Sequence, residues 1–167
     1  MTRWVALSLF LVASLAAAGA DPCPRCARYA APDGAAVLLP DPTLTPGTFD
    51  PKLTKAEACK PERLRKEDGR NVPDSRKAEV FAAYGIRPKR GQYEIDHRCP
   101  IKLCGRNDAA NLWPQPYLPW PGAHEKDVLE LKIIGNVCRH GTMTLAEGQR
   151  IFLGNWYDAY LQYVPRR

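Results

Sequence analysis

The stretch YEIDHRCPIKLCGRNDAANLWPQP, Tyr93–Pro116, carries most of the candidate chemistry of this 167-residue chain. Two short strands are predicted in it, Tyr93–Ile95 and Cys99–Leu103, and the turn residues of LCGRND close the second one. Between the strands lie Asp96 and His97. Neighbours on an extended backbone point to opposite faces, so their adjacency alone does not define a site. The stretch therefore predicts a small β-hairpin with an Asp-His pair at its centre.

A helix is predicted after the hairpin, in AHEKDVLELKIIGNVCRHG, residues 123–141. Its spacing puts four side chains on one helical face: Val128, Leu131, Ile134 and Cys138. His124 opens this helix after a loop that begins at Asn111. The strand pair and the helix N-terminus could therefore meet at one cleft.

The fold class expected for the whole chain is α+β, a single domain that is mostly helical. Capping-box patterns at Thr54 and Thr144 predict the start of two further helices. The region 21–53 is dense in Pro, Gly, Ala and Thr, which predicts an irregular arm or linker before a domain at 54–167. The last predicted helix carries an aromatic stripe whose spacing favours core packing over base stacking: Phe152, Trp156, Tyr160 and Tyr163.

Residues 1–20 are typical of an export signal. Arg3 precedes an apolar run from Val5 to Leu15, and small residues follow up to Ala20. The run is shorter than the roughly 20 residues that a membrane-spanning helix needs. We therefore expect an exported protein, periplasmic or secreted, that does not bind a membrane.

The charge balance is basic, with 24 Lys and Arg against 18 Asp and Glu. Removal of residues 1–20 would take away only Arg3 and leave a net charge of about +5. A basic protein is suited to polyanionic partners, although the same charge can serve solubility alone. The charge needs a site beside it before it indicates function.

Six cysteines follow the signal segment: Cys23, Cys26, Cys59, Cys99, Cys104 and Cys138. An even number in an exported chain predicts disulfides, for which about 15 full pairings exist. The short spacings favour Cys23–Cys26 and Cys99–Cys104, which leaves Cys59 for Cys138. A zinc site built from Cys23, Cys26, Cys99 and Cys104 is the alternative.

Three motifs together resemble the His-Asn-His (HNH) family of ββα-metal endonucleases. They are DH at Asp96–His97, GRNDAANLWPQP at Gly105–Pro116 and AHEKDVLE at Ala123–Glu130. The likeness is to a branch of exported bacterial proteins with YEIDH and NLWPQPY motifs, and it runs from about Val72 to the last helix. It implies a ββα-metal motif and hydrolysis of DNA, with RNA as a second substrate.

The resemblance assigns roles residue by residue. His97 resembles the general base, and Asp96 resembles a metal ligand. Asn111 resembles the asparagine that tethers the loop and orients the base. His124 resembles the helix-borne metal ligand, but the insert WPQPYLPWPG lengthens its spacing from Asn111, and Asp127, one turn on, is the alternative. One divalent ion is implied, Mg²⁺ first, with Mn²⁺, Zn²⁺ or Ni²⁺ as alternatives.

Basic residues around the motif are predicted to contact backbone phosphates of a nucleic acid: Lys89, Arg90, Arg98, Lys102, Arg106 and Lys126. Any one of them could instead be a solvated surface charge. We expect a monomer with low sequence specificity. Two other functions stay open: a binding module that has lost catalysis, and a thiol-redox protein that uses Cys23 and Cys26.

Overall fold

The computed structural model describes residues 22–60, 72–88 and 90–165, so the predicted signal segment 1–20 lies outside the described residues. The elements in chain order are β1 (Ala27–Ala30), β2 (Ala36–Leu39), α1 (Lys55–Ala58), α2 (Asp74–Ala83), β3 (Tyr93–His97), β4 (Leu112–Pro116), α3 (Ala123–Ile134), α4 (Leu145–Leu153) and α5 (Trp156–Tyr163). Helices combined with two small antiparallel sheets confirm the α+β class.

The central hairpin pairs β3 with β4, from Tyr93 opposite Pro116 to His97 opposite Leu112. The predicted second strand, Cys99–Leu103, is wrong. That segment contains a 3₁₀ turn in which the amide of Leu103 donates to the carbonyl of Pro100 at 2.8 Å. A turn closed on itself cannot offer its backbone to a partner strand, whereas every residue of β4 is buried and paired.

The N-terminal arm is more regular than its composition predicts. β1 and β2 form an antiparallel hairpin, with Ala27 opposite Leu39, and the left-handed Gly34 lies in the turn between them. The prolines flank these strands, so they do not interrupt the pairing. Val37 of β2 is buried in the core beside the long helices. The arm therefore belongs to the body of the protein.

A second part of the arm, residues 47–50, runs across the loop that joins β3 to β4. Three backbone hydrogen bonds hold it there: Gly47 N to Ala110 O (2.8 Å), Arg106 N to Thr48 O (3.2 Å) and Asp50 N to Cys104 O (2.8 Å). Residues far apart in sequence thus brace the loop that carries the Asn-containing motif.

Helix α3 buries a face that only partly matches the one that the sequence predicts. Ile134 is buried as part of the core, but Val128 and Leu131 are 47% and 68% exposed, and the fully buried residues are Leu129 and Ile133. Both sets recur at helical spacing, so periodicity alone does not choose between them. Lys126 lies on the buried face. Because lysine is charged, this face does not stand out as apolar in the sequence.

The predicted last helix is two helices. The first ends before Gly154, and Asn155 caps α5 by accepting a hydrogen bond from the amide of Tyr157. Phe152 and Trp156 are core residues, and the tyrosines of the stripe pack against the same cluster. The predicted core packing of the stripe is therefore confirmed, while its continuity is wrong.

Disulfides join Cys23 to Cys26 and Cys59 to Cys138, as predicted. The third predicted bridge is wrong, since Cys99 and Cys104 are buried thiols. Their sulfurs point to different carbonyls, Leu103 O and Leu53 O, each at 3.9 Å. The zinc alternative fails because two of its four sulfurs are already bonded to each other. None of the helices within the described ranges is long and apolar enough to cross a membrane.

Candidate active site

A cleft of about 390 Å³ lies between β3, the turn that follows it and α3. Its polar lining consists of six side chains: Glu94, Asp96, His97, Lys102, Asp127 and Glu130. Four of the predicted site residues therefore meet in one place: Asp96, His97, Lys102 and Asp127. We call it the acidic cleft, because four of the six are carboxylates.

His97 ends β3 at the edge of the acidic cleft. Its Nε2 lies 2.6 Å from Oδ1 of Asn107. An amide oxygen only accepts, so Nε2 carries the proton and Nδ1 keeps its lone pair in the neutral ring. Burial lowers the pKa of His97, and the bond to Asn107 and the charge of Asp96 oppose this only in part. The lowered pKa favours the neutral imidazole, which is the form that a general base needs.

Asn111 is fully buried and closes the loop between β3 and β4. Its Oδ1 accepts from the amides of Cys99 (2.8 Å) and Thr48 (3.2 Å). Its Nδ2 donates to the carbonyls of Cys99 and Arg106, both at 2.9 Å. These four bonds fix the backbone directly after His97. They are the contacts that a loop-tethering asparagine needs.

The same loop depends on a glycine. A Cβ on Gly105 would lie 1.8 Å from the carbonyl oxygen of Cys99, so no other residue fits there without moving the backbone. Arg98 also braces the loop, since Nη1 donates to the carbonyl of Thr45 at 2.6 Å and Nη2 to that of Leu153. Arg98, predicted to contact phosphate, is thus used inside the fold.

Lys126 does not line the cleft but is buried against two of its carboxylates, and it is only 2% exposed. Its Nζ lies 2.6 Å from Asp96 Oδ2 and 2.5 Å from Glu130 Oε1, and it donates to the carbonyl of His97 at 2.9 Å. Burial lowers the pKa of Lys126, but the two carboxylates outweigh burial and raise it. The predicted phosphate contact by Lys126 is therefore wrong, because no surface of its ammonium group is left for a substrate.

The carboxylates of the cleft oppose each other's ionisation. Burial, followed by the charges of Asp96 and Asp127, raises the pKa of Glu94 to about 7. Burial raises the pKa of Glu130 to about 7 as well, with Asp96 adding to the effect. The pKa of Asp127 is raised by burial and by Asp96. A cleft in which several carboxylates resist ionisation favours an added cation.

Of the two candidate helix ligands, Asp127 and His124, only one lines the acidic cleft. Asp127 lines the acidic cleft with Asp96 and His97. His124 is exposed, does not line it and lies beside the ring of Tyr117, with 5.0 Å between the centroids. The geometry therefore favours Asp127 as the partner of Asp96.

The cleft offers oxygen donors of the kind that Mg²⁺ prefers. In the described part of the chain, however, no three His, Cys, Asp or Glu side chains are already gathered around a point that could hold a metal. The ion pair with Lys126 is the one polar contact of Asp96 Oδ2 there, and this atom forms no well-aligned hydrogen bond. A cation bound by Asp96 and Asp127 would have to share Asp96 with Lys126.

The other predicted phosphate contacts are scattered. Arg106 is exposed and pairs with Asp108 at 3.2 Å. Arg90 is exposed and precedes Tyr93, at the end of β3 that lies about 13 Å from His97. Lys102 lines the cleft, while Lys89 lies outside the described residues.

Three residues of the site are missed by sequence reasoning: Glu94, Asn107 and Glu130. Two of them carry a usable signal, since Glu94 precedes Asp96 by two positions on a strand and Glu130 follows Lys126 by four on a helix. No local pattern indicates that Asn107 contacts His97.

Comparison of the chain with protein-family models, with curated proteins and with solved structures gave no match. The case for a function therefore depends on the chemistry of the cleft itself.

Proposed function

We propose that this protein is a metal-dependent endonuclease of the HNH class that hydrolyses phosphodiester bonds of DNA, and of RNA as a second substrate, with low sequence specificity. The observation that carries the proposal is a histidine, His97, held by Asn107 at the edge of a cleft lined by carboxylates. Phosphodiester hydrolysis needs a base for water and a positive charge at the phosphate. The cleft offers groups for both.

His97 is the proposed base, which takes a proton from the attacking water at Nδ1. Asn107 keeps the proton on Nε2, and Asn111 holds the backbone that orients the ring. Asp96 and Asp127 are the proposed ligands of one divalent ion, Mg²⁺ first, which would supply Lewis-acid stabilisation of phosphate charge. Such a general base contributes about 10²- to 10⁴-fold in rate.

A binding module without catalysis is the second candidate, and one observation favours it. The ammonium group of Lys126 already neutralises Asp96 at 2.6 Å, so the cleft has a built-in cation. If that cation serves the fold alone, the cleft holds no metal and performs no chemistry.

Plasmid degradation by the refolded chain from Asp21 onward distinguishes the two candidates. We expect nicking and linearisation with Mg²⁺, Mn²⁺, Zn²⁺ or Ni²⁺, and its loss with a chelator. DNA that is retarded in a gel and never cut under any of these ions would support the binding module.

Calorimetric metal titration of two single variants tests the ligand assignment. Asp127→Ala should weaken metal binding by about 10- to 100-fold, while His124→Ala on the same helix should leave it nearly unchanged. The opposite ranking would return the ligand role to His124.

Export is proposed with the activity. Two disulfides in the structure support an oxidising compartment, periplasmic or extracellular. Mass spectrometry of the exported protein should find a chain that begins at Asp21. A chain that keeps Met1 and stays in the cytoplasm would contradict this.

A further inference from the structure

A second depression, of about 840 Å³, lies beside the acidic cleft along α3. Its walls are α3, the π-helical segment Gly135–Arg139 that continues it, the Cys59–Cys138 disulfide and the residues that follow α5. We call it the basic groove after four of its lining residues: Lys102, Lys132, Arg139 and His140. It is larger than the cleft and open to solvent.

The charge of the basic groove is of one sign. Among the described residues that line it, none is Asp or Glu. Lys132 and Arg139 are exposed, and neither forms an ion pair with any residue in the described ranges. Cations on a folded surface usually have acidic neighbours, and this chain has 18 acidic residues to supply them. A concave surface with only positive charges attracts an anionic partner.

The basic groove and the acidic cleft adjoin each other. Lys102, Leu131 and Ile134 line both of them. A flexible chain that lies in the groove is therefore led past Lys102 to the cleft that contains His97. The groove also exposes apolar surface, since Val128 is 47% and Leu131 68% exposed. Together with Tyr163, these side chains offer contacts for unstacked bases.

We propose that the basic groove binds a single strand of nucleic acid, with its phosphates on Lys132, Arg139 and Lys102 and its bases against the apolar side chains. A single strand is favoured over a duplex because only unpaired bases can reach the apolar surface. This inference rests on the proposed function, since it gives that site its substrate. It also replaces Arg90, Arg98 and Lys126 as the predicted phosphate contacts.

The test compares two double variants with the same change in charge. Lys132→Glu/Arg139→Glu reverses the groove, and Arg87→Glu/Arg90→Glu reverses two exposed arginines that do not line it. The probe is a fluorescent DNA single strand of roughly 12 nucleotides, and its binding is measured by anisotropy in chelator at several salt concentrations. Hydrolysis of bis(p-nitrophenyl) phosphate with Mn²⁺ is measured in parallel, because this small substrate needs the cleft and not the groove.

The groove variant should bind the strand at least about 10-fold more weakly, and its salt slope should fall by about two. The control should stay within about threefold, and both should hydrolyse the small substrate like the wild type. Equal loss in both variants, or loss in neither, would overturn the groove proposal. So would displacement of the strand by an equal concentration of polyglutamate, which would identify an acidic polypeptide as the partner.

Failure of the nuclease proposal has a different signature. A wild type that binds the strand through the groove and yet hydrolyses neither plasmid nor the small substrate is that outcome. It would support the groove proposal and contradict the nuclease proposal. Circular dichroism of each variant confirms folding. Lys132→Gln/Arg139→Gln removes the two charges without reversing them. If these residues bind phosphates, this variant should lose at least about half of the binding free energy that the Glu double variant loses.

Discussion

The acidic cleft and the basic groove lie along the same helix, α3, but the lysines beside them differ in burial and in pairing. Lys126 is 2% exposed and lies between two carboxylates. Lys132, six residues on, is exposed in a groove whose described lining contains no acid. A paired, buried cation stabilises the fold, whereas an exposed cation without an acidic neighbour is available to a partner. The net charge of a sequence does not distinguish the two.

The first way to sharpen this contrast is to remove each ammonium group in turn. Lys126→Met should lower the free energy of unfolding by about 3 to 5 kcal/mol, because buried Asp96 and half-buried Glu130 would both lose their cation. The matched change Lys132→Met should alter it by no more than about 0.5 kcal/mol. Urea denaturation of both variants measures this. Similar losses in the two variants would mean that the pairing of Lys126 with Asp96 and Glu130 does not stabilise the fold.

The two disulfides provide the next contrast, because only Cys59–Cys138 lines the groove. It closes a separation of 79 residues, whereas Cys23–Cys26 closes a separation of 3. Chain-entropy arguments then give about 4 kcal/mol for the long bridge and less than about 2 kcal/mol for the short one. Denaturation of the Cys59→Ala/Cys138→Ala and Cys23→Ala/Cys26→Ala proteins checks the order. A larger loss from the short bridge would contradict it.

On the cleft side, two asparagines of one loop should differ in a similar way. Asn111→Ala leaves four backbone groups without a partner and should cost about 2 to 3 kcal/mol. Asn107→Ala removes one bond to His97 and should cost less than about 1 kcal/mol. Thermal denaturation measures both. If Asn107→Ala were the more damaging change, the loop would not depend on Asn111 as its anchor.

The last prediction concerns the number of cysteine thiols that react with a thiol reagent. The native protein should react with none, because Cys99 and Cys104 are buried, and the denatured, unreduced protein should show two. Ellman's reagent gives the number directly. Zero thiols after denaturation would restore the predicted third bridge.

Local signals in the sequence predicted local structure well. The capping boxes at Thr54 and Thr144 begin helices as expected. Each depends on residues within one turn of chain. The partner of β3 was missed because pairing with β4 depends on how the intervening loop folds, and Asn111 fixes that loop through contacts with residue 48.

The site was partly predictable, because some of its residues belong to short sequence motifs. A motif resemblance picked out Asp96, His97 and His124, and helical spacing offered Asp127 as the alternative to His124. Asp96, His97 and Asp127 meet in the cleft, whereas His124 does not line it. The burial of Lys126 could not be foreseen, because a lysine on a helical face is normally solvated and the acids that hold it lie on two elements. The contact of Asn107 with His97 is equally a product of the folded loop.

The central claim is that His97 acts as a general base in the acidic cleft, and one rate comparison tests it most directly. Cleavage of plasmid is timed under saturating DNA and saturating Mg²⁺ for the wild type, for His97→Ala and for His140→Ala, the matched change on the groove side. We expect a rate about 10²- to 10⁴-fold lower for His97→Ala, about 3 to 5 kcal/mol in barrier, with His140→Ala close to wild type. A His97→Ala protein that cuts as fast as the wild type would contradict the central claim.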